Sequence, residues 1–418
     1  MQINKSISFE YIPMPKLKTS TVGLFIHRRL TKEDAAKNAL LPRILKRGCE
    51  LCKNRSEIEK YLDNIYGGDL RGGCFKKGED QIIYFSVEAI TEKYVPDKEP
   101  LFEKMIKLLM SVVFSPVAED GGFLPEYIAQ EKKNLIERIQ SQKNDKRTYA
   151  SQRCVEEMCK GTDFAVHSYG TVEDVDKIDA VSLYEYYCEM IYNSKIDIFI
   201  SGECDEAEGA RLIKEALPEG EFKGGEVELD GVLVKDGDVN YIEEVMDVTQ
   251  GKLSMGFTTG LDGTGDDYYA LMVANSIFGG GAHSKLFNNV REKLSLCYYA
   301  SSSMDRYKTM MVVNAGIEFE NYQKAYDEIL NQLKAVQNGE ISELEYVSSI
   351  NAIVNSLTSC FDDQFAMQSF RLSEKILKTG TSLQECIEKI KAVKLEDAVR
   401  VSKNIRLDTV YFLKGGKA

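Results

Sequence analysis

The chain has 418 residues, with 53 Lys+Arg against 66 Asp+Glu for a net charge of -13, and 43% of its residues are apolar with only 8 prolines. That length exceeds one compact core, and at roughly 100–200 residues per domain it predicts two ordered domains. The acidic balance, with no Lys/Arg stripe interleaved with aromatics, excludes a general binder of phosphate backbones, so nucleic acid is not expected as a partner.

The start, MQINKSISFEYIP, lacks a basic segment followed by an apolar run, and no stretch approaches the ~18 apolar residues of a membrane span. A cytoplasmic setting without a membrane partner is expected. The cysteines (Cys49, Cys52, Cys74, Cys154, Cys159, Cys188, Cys204, Cys297, Cys360, Cys386) are scattered over the whole length and read as reduced thiols.

TVGLFIHR at 21–28 alternates as a strand, with Val22, Leu24 and Ile26 on one face. Helices are predicted at 33–46 and 56–66, the second opened by Ser56, with Ile58, Tyr61, Leu62 and Ile65 at helical spacing. Residues 69–90 read as two strands joined by KKGED, followed by helices at 99–114 and 124–160 and a strand in 192–203. The Gly- and acid-rich EGEFKGGEVELDGVLVKDGD has no period and marks a linker, which divides the chain into 1–218, a linker at 219–239, and 240–418. The second half repeats the plan: a strand at 252–260, helices at 267–278 and 283–293, strands in 297–317, and helices at 321–338 and 342–362. Segment 57–74 falls opposite 285–302, so the expected fold is α+β, two homologous domains each built on a mostly antiparallel sheet.

The chemistry is sparse. The three histidines, His27 in a strand, His167 in a loop and His283 at a helix start, lie far apart in sequence and read as surface or hydrogen-bonded residues. Cys49-x-x-Cys52 has no second pair for zinc and no redox context. FGGGAHSKLF matches neither phosphate-loop pattern and follows a helix, LMVANSIF, where such a loop needs a strand. Charged pairs around Glu131 read as a solvated helix face.

One stretch is more specific. GGGxxSxLFxxVRExxxLxYxxxS at 279–302 resembles the second-domain signature of the insulinase/pitrilysin-type zinc metallopeptidases, the inverted zincins, especially their two-domain bacterial and mitochondrial-processing members. The resemblance runs over essentially the whole chain, including HSYGTVEDVDKI at 167–178. It implies half of a clamshell peptidase, in which Arg291 and Tyr298 reach toward a zinc held by another first domain. There they would hold peptide and stabilise the oxyanion, with Gly279, Gly280 and Gly281 on the substrate-binding surface.

The zinc half should be H-x-x-E-H on the first helix. Against the family pattern, NALLPRILKRGC at 38–49 puts Ala39 and Arg43 at the histidine positions and Pro42 at the glutamate. The later ligand position falls on Arg138 when Glu131 is taken as the acid seven residues earlier, with Glu137 one position away. An alanine has no lone pair, a proline cannot act as a base and an arginine repels a dication. The resemblance therefore implies a non-catalytic subunit that binds no cofactor itself and works with an H-x-x-E-H partner carrying the zinc, or self-associates without it. A structural scaffold and a peptide-binding module without a peptidase partner are the other readings.

Overall fold

The period-two runs and the helical runs alternate along the chain as the sequence predicts. The computed structural model describes residues 1–96, 99–233 and 237–416. The elements are β1 Ile7–Pro13, β2 Thr19–Arg29, α1 Ala35–Leu45, α2 Arg55–Asn64, β3 Asp69–Lys77, β4 Asp80–Ile90, α3 Leu101–Phe114, α4 Pro125–Gln142, α5 Lys146–Met158, α6 Val172–Asp176, α7 Ala180–Asn193, β5 Ile196–Gly202 and α8 Glu206–Ala216. The remainder is β6 Asn240–Met246, β7 Gly251–Thr258, α9 Asp267–Gly279, a π-helix at Leu286–Lys293, β8 Cys297–Asp305, β9 Met310–Ile317, α10 Tyr322–Gln337, α11 Glu343–Ser359, α12 Gln364–Ile376, α13 Leu383–Ala392, α14 Leu395–Ser402 and β10 Arg406–Gly415.

The two sheets have one topology, β1-β5-β2-β4-β3 and β6-β10-β7-β9-β8. In each, the first strand lies parallel to the last and every other pairing is antiparallel. This is the α+β duplication that the sequence predicts, with the terminal strands of each half closing its sheet.

The compact units are not continuous in sequence. One contains Met1–Gln140, Val166–Leu229 and Cys360–Ile376, and the other Ser141–Ala165, Asp230–Ser359 and Leu377–Ala418. Within the expected linker, residues 234–236 lie outside the described residues. A glycine at the matching point of each sheet makes room for a helix. In the first unit a Cβ on Gly23 of β2 would sit 2.1 Å from Gln368 Oε1 of α12, and in the second a Cβ on Gly256 of β7 would sit 2.6 Å from Met158 Sδ of α5. Around α5, Ala150 and Cys154 pack on Tyr411 and Leu413 of β10. The core of the first unit is one continuous cluster in which Leu24, Ile26, Ile83, Phe85 and Ile198 of the sheet meet Leu40, Ile44 and Leu108 of the helices.

Three element boundaries differ from the sequence reading. The predicted helix 124–160 is two helices, because the Asp145 carboxylate accepts from the amides of Arg147 and Thr148 and starts α5 afresh. The predicted helix 342–362 ends at Ser359, and α12 follows as a separate helix. The second helix opens at Asn54, not Ser56: Asn54 Oδ1 accepts from Glu57 N at 3.1 Å while Glu57 Oε2 accepts from Lys53 N at 2.7 Å. Asn54→Ala is accordingly expected to lower stability by about 1 kcal/mol, read as a shift in the urea midpoint, whereas Ser56→Ala is expected to be silent.

Candidate functional site

Helix α1 is built from NALLPRIL, apolar almost all round, and is buried against β3 and β4. Ala39 is 4% exposed inside that core, and Pro42 is buried within the helix. Arg43 lies one step further along. Its Nη1 is 3.7 Å from Glu131 Oε2, and Arg47, a turn later, gives Glu131 Oε1 a 2.8 Å bond from Nε and a second from Nη2. Glu131 is buried, so the solvated-face reading of this residue is corrected: the Arg47 guanidinium, hydrogen-bonded to its carboxylate, makes that burial tolerable. Arg138 is exposed, with its guanidinium 5.7 Å from the centre of the Tyr169 ring.

These positions do not fit zinc. They supply two guanidiniums, a proline and an alanine where a dication needs lone pairs, and the nearby Glu131 already serves cations of the chain itself. Among the described residues no group of three or more His, Cys, Asp or Glu side chains is placed to hold a metal ion. After incubation with zinc and exhaustive dialysis, the protein is expected to retain well under one metal per chain by atomic absorption. Stoichiometric zinc would overturn that.

Arg291 and Tyr298 lie in the second unit. The segment LFNNVREK at Leu286–Lys293 winds as a π-helix, with a bond from Leu294 N to Asn289 O, and the chain leaves it through Ser295, held at φ +51°. Such wide turns are rare and are frequently found at functional sites. Leu286 and Val290 bury the inner face. Arg291 remains half-exposed, its guanidinium 4.7 Å from the Phe287 ring centre and its Nε 3.5 Å from Glu292. The chain then enters β8 with a bulge: Cys297 opposes Ile317 and Tyr299 opposes Gly316, so Tyr298 is the extra residue. A bulge re-aims a side chain out of the pleat. Tyr298 is 59% exposed and donates from its hydroxyl to Glu318 Oε1 at 2.6 Å. That bond raises the phenol above its usual range, which keeps its proton in place.

Beside it, Tyr299 is half-buried, and burial pushes its phenol up to about 12. Arg147 lies 4.2 Å above the Tyr299 ring and donates to Ser301 Oγ at 3.1 Å. The sequence reading missed Arg147, and nothing in the spacing of 147 and 299 could have found it. The glycines of GGG sit where the backbone is crowded: a Cβ on Gly279 would lie 2.6 Å from Ser302 N, and one on Gly280 would lie 2.6 Å from Ser276 Cα. Gly281 faces the His283 ring.

The histidines have partners. His283 Nε2 is 3.1 Å from Ser276 Oγ, and burial lowers its pKa. His167 Nδ1 accepts from Tyr169 N at 3.0 Å. His27 is buried between two carboxylates, with Nδ1 2.5 Å from Asp80 and Nε2 2.9 Å from Asp197. Burial alone would lower it, but the two aspartates outweigh that and raise it to about 9. Cys49 and Cys52 face each other across a buried turn, and burial pushes the Cys52 thiol up to about 11.

Comparison with known proteins gives the family. Residues 177–353 match the family model of the peptidase M16 inactive domain. The chain is 37% identical over 400 residues to the probable inactive metalloprotease YmfF of Bacillus subtilis, covering 96% of this chain and 94% of that one. Among solved structures, a conserved protein of Enterococcus faecalis superposes with a TM-score of 0.93 at 28% identity, over 100% of this chain and 98% of the other. A peptidase M16 inactive domain from Pseudomonas fluorescens has the same fold, with a TM-score of 0.81 at 16% identity, over 100% and 98% of the two chains. The chain belongs to the M16 family, the insulinase/pitrilysin-type peptidases, as one of its non-catalytic members.

Proposed function

We propose that this protein is the non-catalytic subunit of a two-chain zinc peptidase, in which Arg291 and Tyr298 bind peptide and stabilise the oxyanion at a zinc held by an H-x-x-E-H partner. The observation that carries the reading is Tyr298: an exposed phenol, displaced from its sheet by a bulge and reached through a π-helix bearing Arg291. Rigid elements of this kind suit a donor that must meet a developing negative charge without reorganising. No zinc chemistry is assigned to the chain itself, because the metal positions hold Ala39, Pro42, Arg43 and Arg138. The reading includes a cytoplasmic setting and a homodimer in the partner's absence.

A second reading has its own support, since Tyr298 already has Glu318 and Arg291 already has Phe287 and Glu292 as local partners. It makes the chain a scaffold of the same fold. The deciding experiment measures peptide cleavage by the chain, by its H-x-x-E-H homologue from the same organism, and by the mixture. Cleavage only in the mixture supports the composite site. Equal cleavage by the homologue alone leaves the scaffold.

A further inference from the structure

Arg43, one of the positions that cannot bind zinc, lines a cavity of about 420 Å³ in the first unit, between α1, α2, α4 and the start of β3. Four cations line it: Arg43, Lys46, Arg47 and Arg55. Its carboxylates each have a cation close by. Glu131 takes two bonds from Arg47 and one from Asn134 Nδ2 at 3.1 Å. Glu59 pairs with Arg55 at 3.4 Å, and Asp69 with Arg71 at 2.6 Å.

Arg43 and Lys46 have weaker compensation. Arg43 stands 3.7 Å from Glu131, beyond hydrogen-bond reach, and Lys46, among the described residues, donates to the carbonyl of Gly72 at 2.9 Å. An ammonium carries three donors, so Lys46 has two left to give. Burial first, and then the neighbouring Arg43, lower its pKa. Glu131 and Asp69 offset part of that, and a carboxylate placed between the two adjacent cations would relieve the remaining repulsion. Ile58, Leu62 and Leu70 complete the lining with apolar surface suited to a short methylene stem.

We propose that this cavity binds the carboxylate of an acidic peptide, held by Arg43 and Lys46. The inference rests on the peptide-binding reading above and names the class of peptide. A guanidinium and an ammonium at one side chain make charge-assisted bonds that an amide in its place cannot match.

The test is fluorescence anisotropy of the purified chain with two C-terminally amidated peptides that differ only in carrying glutamates or glutamines. The glutamate peptide is expected to bind about 10-fold more tightly or better, as loss of a charged hydrogen bond predicts. That preference is expected to disappear in Lys46→Met and in Arg43→Gln/Lys46→Met, and to weaken in Arg55→Gln, whose exposed side chain leaves the fold intact. Inorganic phosphate is expected to compete with the glutamate peptide. Equal affinity for the two peptides, a preference that survives Lys46→Met, or binding of phosphate but of neither peptide overturns the proposal. If the two peptides bind equally while the mixed subunits still cleave, only this inference falls. If no peptide binds and no mixture cleaves, the composite-site reading falls with it.

Discussion

Tyr298→Phe is expected to slow cleavage by the mixed subunits on the order of 10²-fold, the usual cost of removing one preorganised oxyanion donor. The substitution removes a single hydroxyl from an exposed ring, so the fold should not change. The loss should fall on kcat, because the phenol acts on charge that develops only in the transition state. Arg291→Ala is expected to raise KM as well, since a guanidinium that holds peptide binds ground state and transition state alike. Glu318 sharpens the test. At rest it accepts a hydrogen bond from the Tyr298 hydroxyl, so the phenol must exchange Glu318 for the substrate oxygen during the reaction. If Tyr298 serves only to tie β8 to Glu318, Tyr298→Phe and Glu318→Gln should lower thermal stability alike and leave cleavage untouched. That outcome would assign Tyr298 to the scaffold.

Much of this site is written locally, which is why it could be read. GGG, LF, VRE and the Arg291–Tyr298 spacing all sit within 279–302, and the degenerate metal positions sit within 38–49. What could not be read depends on residues remote in sequence. Strand β1 is secured by parallel pairing with β5, almost the whole first unit away, and β10 by parallel pairing with β6. Neither partner is visible from the alternation of the strand itself. The break at Asp145 is local, but helix periodicity runs straight through it, and only the cap geometry marks the new start. The placements of α5 and α12 rest on Gly256 and Gly23, which in sequence are ordinary strand glycines and in the fold are gaps that a helix fills. Glu131 illustrates the same limit from the side of charge. Its neighbours on α4 are polar, yet Arg47, 84 positions earlier, makes burial tolerable.

His27 carries the largest expected effect on stability. Its ring joins β2 to β4 through Asp80 and to β5 through Asp197, and Lys375 of α12 adds a 2.9 Å bond to the same Asp197. His27→Leu leaves two carboxylates in the core without the ring between them, which is expected to cost about 3–5 kcal/mol. Lys375→Met should cost far less, because its ammonium is partly exposed and screened by solvent. The wild-type protein should show the same network in its pH dependence. The histidine titrates near 6.5 when unfolded and near 9 when folded, so its contribution is complete below pH 6.5 and disappears as pH rises through 9. Asp197 behaves in the opposite sense. Burial would raise it, but the His27 hydrogen bond and the charges of His27 and Lys375 hold it far below its usual range, so its contribution is present above about pH 4 and is lost as pH falls. Because a chain of two units has no single unfolding free energy, the measurement belongs to local exchange. Amide protection in β2, β4 and β5, corrected for intrinsic exchange, should be highest between about pH 4 and 6.5 and should decline toward pH 9. In His27→Leu that protection should already be reduced at neutral pH and the alkaline decline should be gone. A His27→Leu protein that keeps the alkaline decline would mean that another group titrates there, and that the imidazole is held neutral between the two aspartates.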